Sequence, residues 1–257
     1  MHPLTILERP PPDTMKRVLV IDDDDFFTGI LSVQLEANGY ACHCCPDFAG
    51  ASAWIAAEGP PDIILLDYDL GPGHSSGLDV ARQLKRFHKR PLIMLTGNDR
   101  VETIVSCLDA GADQYMLKPY ILQELLARMR ACLRLYESHL QGEAQTVTRG
   151  GIRLDTHAGI LTIGDRHQPV TDMESAALEV LISHLGKQVD RDLLSQLLYE
   201  RDYDPANRSL DMLMGRVRKK LAAISGDYVI KTVRGKGFRL SKAATSRAGR
   251  ARPKPDG

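Results

Sequence analysis

The sequence predicts two unlike units: an α/β, doubly wound, five-stranded parallel sheet, followed by a smaller α+β unit of helices and a hairpin. Three observations predict this. Five short apolar runs alternate with amphipathic stretches over residues 16–137. The pattern changes after a polar stretch at 138–148, SHLQGEAQTVT. Charge is also split: residues 1–146 carry 13 Lys+Arg against 20 Asp+Glu, and residues 147–257 carry 20 against 13, so −7 and +7 lie hidden within a formal net charge of zero. An acidic half joined to a basic half points to two domains with different partners, the basic one suited to nucleic acid.

Residues 1–15 are Pro-rich, with Pro10–Pro12 in a row, and read as a disordered N-terminus. The apolar runs are Arg17–Ile21, Tyr40–Cys44, Asp62–Leu66, Pro91–Leu95 and Gln114–Leu117. Each is long enough for a strand buried on both faces. Helical patterns lie between and after them, near 26–38, 47–57, 77–88, 100–110 and 121–137. Five such βα repeats make a parallel sheet whose sites lie at the strands' carboxyl ends. Residues 138–148 read as a linker. A second domain over 149–242 then begins with strand-like pieces at Ile152–Leu154 and Ile160–Ile163. Helical segments follow at 171–185, 190–199 and 207–224. A hairpin signal comes next, Tyr228–Arg234 and Phe238–Leu240 around Gly235-Lys236-Gly237. Residues 243–257 are small, polar and basic, and read as a disordered tail.

A length of 257 residues fits two ordinary domains. A hydrophobic fraction of 43% excludes global disorder. No apolar run approaches the ~18 residues a membrane span needs. The N-terminus has no charged start leading into an apolar core, so no secretory signal is expected. Five cysteines, an odd count in a chain too long to need staples, point to a reducing cytoplasm.

Four features fall at strand ends. Asp22 and Asp23 follow the first strand, Asp67 the third and Thr96 the fourth, and Lys118, before Pro119, closes the fifth. One edge of a parallel sheet would bring them together. Clustered carboxylates repel, and Mg²⁺, which prefers oxygen ligands and keeps waters for an incoming phosphate, relieves that. One carboxylate could attack phosphorus. A Lys ammonium and a Thr hydroxyl would pair with phosphoryl oxygens.

Residues 16–137 resemble the receiver domain of two-component response regulators. The resemblance rests on VLVIDDDD, PDIILLDYDLGPGHSSGLDV, LIMLTG and ADQYMLKPY. It implies that Asp67 is the phosphoacceptor, and that Asp22, Asp23, Asp67 and the backbone carbonyl of Asp69 hold Mg²⁺. It makes Thr96 and Lys118 the phosphoryl-sensing pair, Tyr115 the aromatic switch, and Lys118–Pro119 a cis bond. The 68–77 loop is about two residues longer than the usual form, and Gly71 stands where the family has Pro. Asp69 adds a carboxylate beside the acceptor. Receivers of this branch pair through the fourth helix, fifth strand and fifth helix. Asp109 and Arg130 keep the expected signs for that face, while Ile104 and Gln114 replace charged partners of Glu124 and Arg128.

In the basic half, RSLDMLMGRVRKKLAA from Arg208 divides on a helical wheel. Leu210, Leu213, Met214, Val217 and Leu221 fall between roughly 140° and 240° from Arg208. Arg208, Met212, Gly215, Arg216 and Lys219 cluster at the opposite pole. An apolar back with a basic front suits a helix in a major groove. The hairpin adds Lys231, Thr232, Arg234, Lys236 and Arg239, and glycines on both sides of Lys236 would let backbone approach DNA closely. Basic helix plus basic hairpin is a winged helix-turn-helix in outline. Residues 149–241 resemble the effector domain of OmpR/PhoB-class regulators through VTDMESAALEVL, NRSLDMLMGRVRKKL and IKTVRGKGFRL. The resemblance implies DNA contacts from Arg208, Ser209, Arg216, Arg218, Lys219, Thr232 and Arg234, with Arg218 on phosphate, and Gly215 at an often basic position.

Together these imply a cytoplasmic transcription regulator. A sensor histidine kinase would phosphorylate Asp67, and a homodimer would then bind double-stranded promoter DNA, with RNA polymerase as a further partner. It would not be an enzyme beyond taking its own phosphoryl group from a donor and slowly losing it. Two rivals stand beside this reading. One is a haloacid-dehalogenase-type phosphatase built on Asp67-Tyr-Asp69, which leaves the basic half unexplained. The other is a DNA-binding protein whose receiver works by protein contact without phosphate. Cys42-His43-Cys44-Cys45 looks like a metal cluster, but strand alternation sends Cys42 and Cys44 to one face and His43 to the other, so they read as packing. Cys107 and Cys132 fall in helical patterns and read the same way.

Overall fold

A computed structural model describes residues 15–73, 75–141, 146–199, 201–205 and 207–243. The disorder expected for 1–15 and 243–257 concerns residues that lie, but for Met15 and Ala243, outside that set. The first unit runs β1 (Lys16–Ile21), α1 (Asp25–Ala37), β2 (Tyr40–Cys45), α2 (Phe48–Glu58), β3 (Ile63–Asp67), α3 (Gly77–Phe87), β4 (Leu92–Thr96), α4 (Val101–Asp109), β5 (Gln114–Leu117) and α5 (Leu122–Gln141). Its strands pair in parallel in the order β2-β1-β3-β4-β5. Alternate residues of β1, β3 and β4 feed two cores. Val18, Val20, Ile63, Leu65, Ile93 and Leu95 pack against Leu31 and Leu35 of α1 and Leu125 and Met129 of α5. Leu19, Ile21, Ile64, Leu66, Leu92 and Met94 pack on the other face with Ile55, Val80 and Leu84. The five apolar runs are continuous because both faces are covered.

Local signals start the helices. Asp24, Asp47 and Ser76 cap α1, α2 and α3 by accepting the Phe27, Gly50 and Asp79 amides. Thr171 and Glu174 form a capping box at the next helix.

The second unit runs β6 (Thr146–Arg149), β7 (Ile152–Asp155), β8 (Ile160–Ile163), β9 (Arg166–Pro169), α6 (Asp172–Ser183), β10 (Val189–Asp190), α7 (Arg191–Tyr199), α8 (Ser209–Ile224), β11 (Tyr228–Val233) and β12 (Gly237–Lys242). β6 to β9 form an antiparallel sheet, and β11 and β12 form the hairpin, with β10 pairing on β12. The wheel's apolar stripe is buried: Leu210, Leu213, Met214, Val217 and Leu221 join a core centred on Phe238.

Three readings change. α5 continues to Gln141, and β6 begins at Thr146, so the stretch read as a polar linker is largely structured. The helix persists because Leu135 leaves the receiver and packs in the second unit's core. β6 and β9 were missed because TVTR and RHQP are mostly solvent-exposed and carry no apolar alternation. Gly237 has a use within the sheet: a Cβ there would collide with the Val189 carbonyl of β10.

Candidate functional site

The β1–β3 boundary is where the strand order reverses, with β2 on one side and β4 on the other. Open α/β sheets bind ligands at such a point. Ile21 pairs with Leu66, so Asp22 and Asp67 leave adjacent strands side by side. Asp22, Asp23 and Asp67 each bring a carboxylate oxygen within 4.8 Å of the others. Asp22 and Asp67 are buried, while Asp23 is exposed at the mouth. Lys118 closes the set from β5: its Nζ lies 2.6 Å from Asp22 Oδ2 and 2.5 Å from Asp67 Oδ1. It also sits 4.1 Å from the centre of the Phe27 ring. The Lys118–Pro119 bond is cis. Thr96, fully buried at the end of β4, accepts the Asn98 amide through Oγ1 at 3.1 Å, and its carbonyl accepts the Lys118 amide at 2.7 Å. Asp22, Asp23, Asp67 and Lys118 therefore meet in one cluster, with Thr96 at the adjoining end of β4.

Burial pushes the Asp67 carboxyl above its ordinary pKa, and the Lys118 contact only partly offsets this. Burial pulls on Lys118 in the opposite direction from its bonds to Asp22 and Asp67, which win and raise it, so the ammonium keeps its charge. Three carboxylates against one ammonium leave a net negative, all-oxygen pocket that fits a hard divalent cation.

The 68–77 loop has a physical logic. The Asp69 amide donates to Asp67 Oδ2 at 2.6 Å, orienting that carboxylate. Gly71 has φ +76°, and a Cβ there would strike the Asp23 carboxylate. Proline, fixed near −65°, cannot take that place, which accounts for the departure at this position.

Tyr115 is half-buried and lines a cleft of about 580 Å³ shared with Ile104, Arg208 and Met212. Arg128 bonds Gln114 Oε1 at 2.8 Å and Glu124 Oε1 at 2.7 Å, so Gln114 takes a role within the chain.

The residues expected on DNA fall into three groups. Thr232 and Arg234 lie on the hairpin, where Thr232 accepts from Arg218 at 2.7 Å and Arg234 is exposed. Arg218 also donates to the Ile230 carbonyl, tying α8 to β11. Arg208 stands at the start of α8, and Ser209 is buried. Arg216 is buried and Lys219 is paired, both against the first unit.

Sequence reasoning missed two buried carboxylates. Asp113 accepts the Leu92 amide and pairs with Lys85 at 2.7 Å. Glu174 pairs with Lys220 at 2.5 Å and faces Arg216 Nε at 3.6 Å. The capping-box spacing could have flagged Glu174; nothing local marks Asp113. Cys42 and Cys44 share a face with their Sγ atoms 3.9 Å apart, while His43 stacks on Trp54. Among the described residues the three aspartates alone form a group fit for a metal. Among them, too, no helix is long and apolar enough to cross a membrane.

Comparison with known proteins agrees with this geometry. Residues 18–130 match the family described as response regulator receiver domain, and residues 165–240 match transcriptional regulatory protein, C terminal. Response regulator MprA of Mycobacterium avium (strain 104) is 35% identical over 225 residues, covering 87% of this chain and 97% of that protein. MprA of Mycobacterium tuberculosis (strain ATCC 25618 / H37Rv) is 34% identical, with 87% and 96% covered. Among solved structures, a RitR mutant superposes with a TM-score of 0.64 at 25% identity, covering 89% of this chain and all of that one. The chain belongs to the OmpR/PhoB-type response regulators: it is a phosphorylation-dependent, DNA-binding transcription regulator with a receiver domain ahead of its effector domain.

Proposed function

We propose that a sensor histidine kinase passes a phosphoryl group to Asp67 and that this converts the chain into a promoter-binding homodimer. The observation that carries the reading is the convergence of Asp22, Asp67 and Lys118 at the β1–β3 boundary. Asp67 Oδ would attack phosphorus as the N–P bond to the kinase's phosphohistidine breaks and the imidazole leaves, and Lys118 and Thr96 would bind oxygens of the transferred phosphoryl group. Asp22, Asp23, Asp67 and the Asp69 carbonyl are the candidate Mg²⁺ ligands; the ion would neutralise phosphoryl charge. Phosphorylation from a small donor and slow hydrolysis are the only chemistry assigned to the chain. Arg208, Ser209, Arg216, Arg218, Lys219, Thr232 and Arg234 are the candidate DNA-contact set, with RNA polymerase as a further partner on the promoter.

The test is DNA affinity. Acetyl phosphate with Mg²⁺ should raise the full chain's affinity for a duplex enriched from a random pool, and EDTA should abolish the gain. An affinity indifferent to both would favour a receiver that works without phosphate.

The kinase has a fitting surface. Phe26, Ile30 and Val33 of α1 are 79%, 45% and 67% exposed and form one apolar stripe beside the pocket. Exposed apolar stripes of this kind mark protein contacts. Phe26→Ala should slow transfer from the kinase by roughly tenfold, the size expected of a central aromatic anchor. Its rate with acetyl phosphate should stay at wild type, and equal slowing with both donors would argue against docking here.

Asp69 also bears on lifetime. Its carboxylate accepts the Gly71 amide at 3.3 Å, within the loop bordering the acceptor. As a base near the acyl phosphate it would assist water attack. Asp69→Asn should lengthen the phosphoprotein half-life by roughly threefold; equal decay rates would remove Asp69 from the chemistry.

A further inference from the structure

β2, at the edge of the receiver sheet, pairs with β1 alone among the described strands. Two thiols on it have no part in the phosphoryl chemistry. Cys42 and Cys44 face the core shared by α1 and α5, with their Sγ atoms 3.9 Å apart. Cys44 Sγ also lies 3.8 Å from the carbonyl oxygen of Thr28, in the first turn of α1. Both thiols are free and half-buried, whereas Cys45, Cys107 and Cys132 are buried. The strand alternation that sends His43 to the other face therefore sets two reachable sulfurs side by side.

Their spacing suits a shared ion. With metal–thiolate bonds of roughly 2.3 Å, the length found for zinc, sulfurs 3.9 Å apart subtend about 115° at the metal. That angle lies between tetrahedral and trigonal, so chelation asks little movement of the strand. A disulfide asks more. Its sulfurs must close to roughly 2.05 Å, and strand residues two apart stand about 6.6 Å from one another, near the far limit for that bond. The charged groups acting on the pair are anionic, Glu36 on both thiols and Asp22 on Cys44, a field that draws a cation. The hydrogen bond between the two pushes the Cys42 thiol up and draws Cys44 down, which makes Cys44 the readier thiolate. Thiolates select Cu(I), zinc and iron–sulfur clusters. Zinc and the clusters need more ligands than a pair, and among the described residues no third His, Cys, Asp or Glu joins these two. Cu(I) is satisfied by two or three.

We propose that Cys42 and Cys44 chelate one Cu(I) at the edge of the receiver, with a further position left for a small donor from solution. Two Cu–S bonds replace two S–H bonds, two protons pass to solvent, and the copper keeps its oxidation state.

The test uses the full, reduced chain without oxygen, titrated against the coloured Cu(I) complex of bathocuproine disulfonate. Wild type should remove one Cu(I) per chain and bleach the complex. Cys42→Ser and Cys44→Ser should each weaken uptake by more than about 100-fold, the most that loss of a ligand's hydrogen-bond partner costs. The acetyl phosphate adduct on Asp67 reports that each variant's receiver is folded. In wild type, Cu(I) should also abolish alkylation of Cys42 and Cys44 together by iodoacetamide, read by peptide mass. Absent uptake, or alkylation unchanged by Cu(I), overturns the site. Full uptake by both variants places the copper elsewhere and overturns it too. One ion held between two chains, seen by size-exclusion chromatography, overturns the chelate within one chain. Displacement of Cu(I) by an equal concentration of zinc overturns the choice of ion.

Discussion

Asp67→Asn should gain no mass from acetyl phosphate and Mg²⁺ under conditions where the wild-type chain gains one phosphoryl group. The side chain keeps its size and can still accept the Asp69 amide, but loses the anionic oxygen proposed to attack phosphorus. Of the three carboxylates at the cleft, Asp67 is the one that both touches Lys118 and closes the central strand β3. Its carboxyl is shifted upward by burial, which favours a more basic oxygen than an exposed aspartate offers. Intact mass reads the result. An adduct on the variant would move the acceptor to Asp22 or Asp23. The variant's DNA affinity should also stop responding to the donor, a loss of the whole phosphorylation-dependent increment.

Phe238→Ala should cost about 3–5 kcal/mol in the effector domain. Phe238 is fully buried, and the Arg191 and Arg218 guanidinium carbons stand 4.6 and 5.6 Å from its ring centre. Truncation leaves a void between α8 and the hairpin and removes the surface that both cations cover. A loss of that size is a large share of a domain's total stability. Thermal unfolding should show the effector transition moving down by many degrees. The receiver cores are built from different residues, so the acetyl phosphate adduct on Asp67 should form as before. Parallel loss of the adduct would mean that the two domains unfold as one.

How much of this was legible depended on burial. The five receiver strands announce themselves because each is covered on both faces and so reads as unbroken apolar sequence. The acidic pocket follows, since parallel strands must end together and Asp22, Asp67, Thr96 and Lys118 occupy those ends. The second unit's outer sheet was less readable: TVTR and RHQP have one face in water and little to bury on the other. The two-residue β10 lies below any periodicity. The basic pole of α8 was visible as charge, but its occupancy was not. Arg216 bonds to residues more than a hundred positions away, through main-chain carbonyls that any sequence would supply.

The course of α5 carries a consequence for anyone recombining these modules. At its start it supplies Leu125 and Met129 to the receiver core, and further on Leu135 to the effector core. At about 1.5 Å per residue its 20 residues make a strut of about 30 Å. A hybrid regulator spliced within the helix would inherit one owner's apolar stripe and the other's neighbour. Any one-residue error would rotate the trailing half by about 100°. A seam beyond Gln141 keeps the helix whole but requires the incoming receiver's last helix to supply an apolar side chain in place of Leu135 to the effector core.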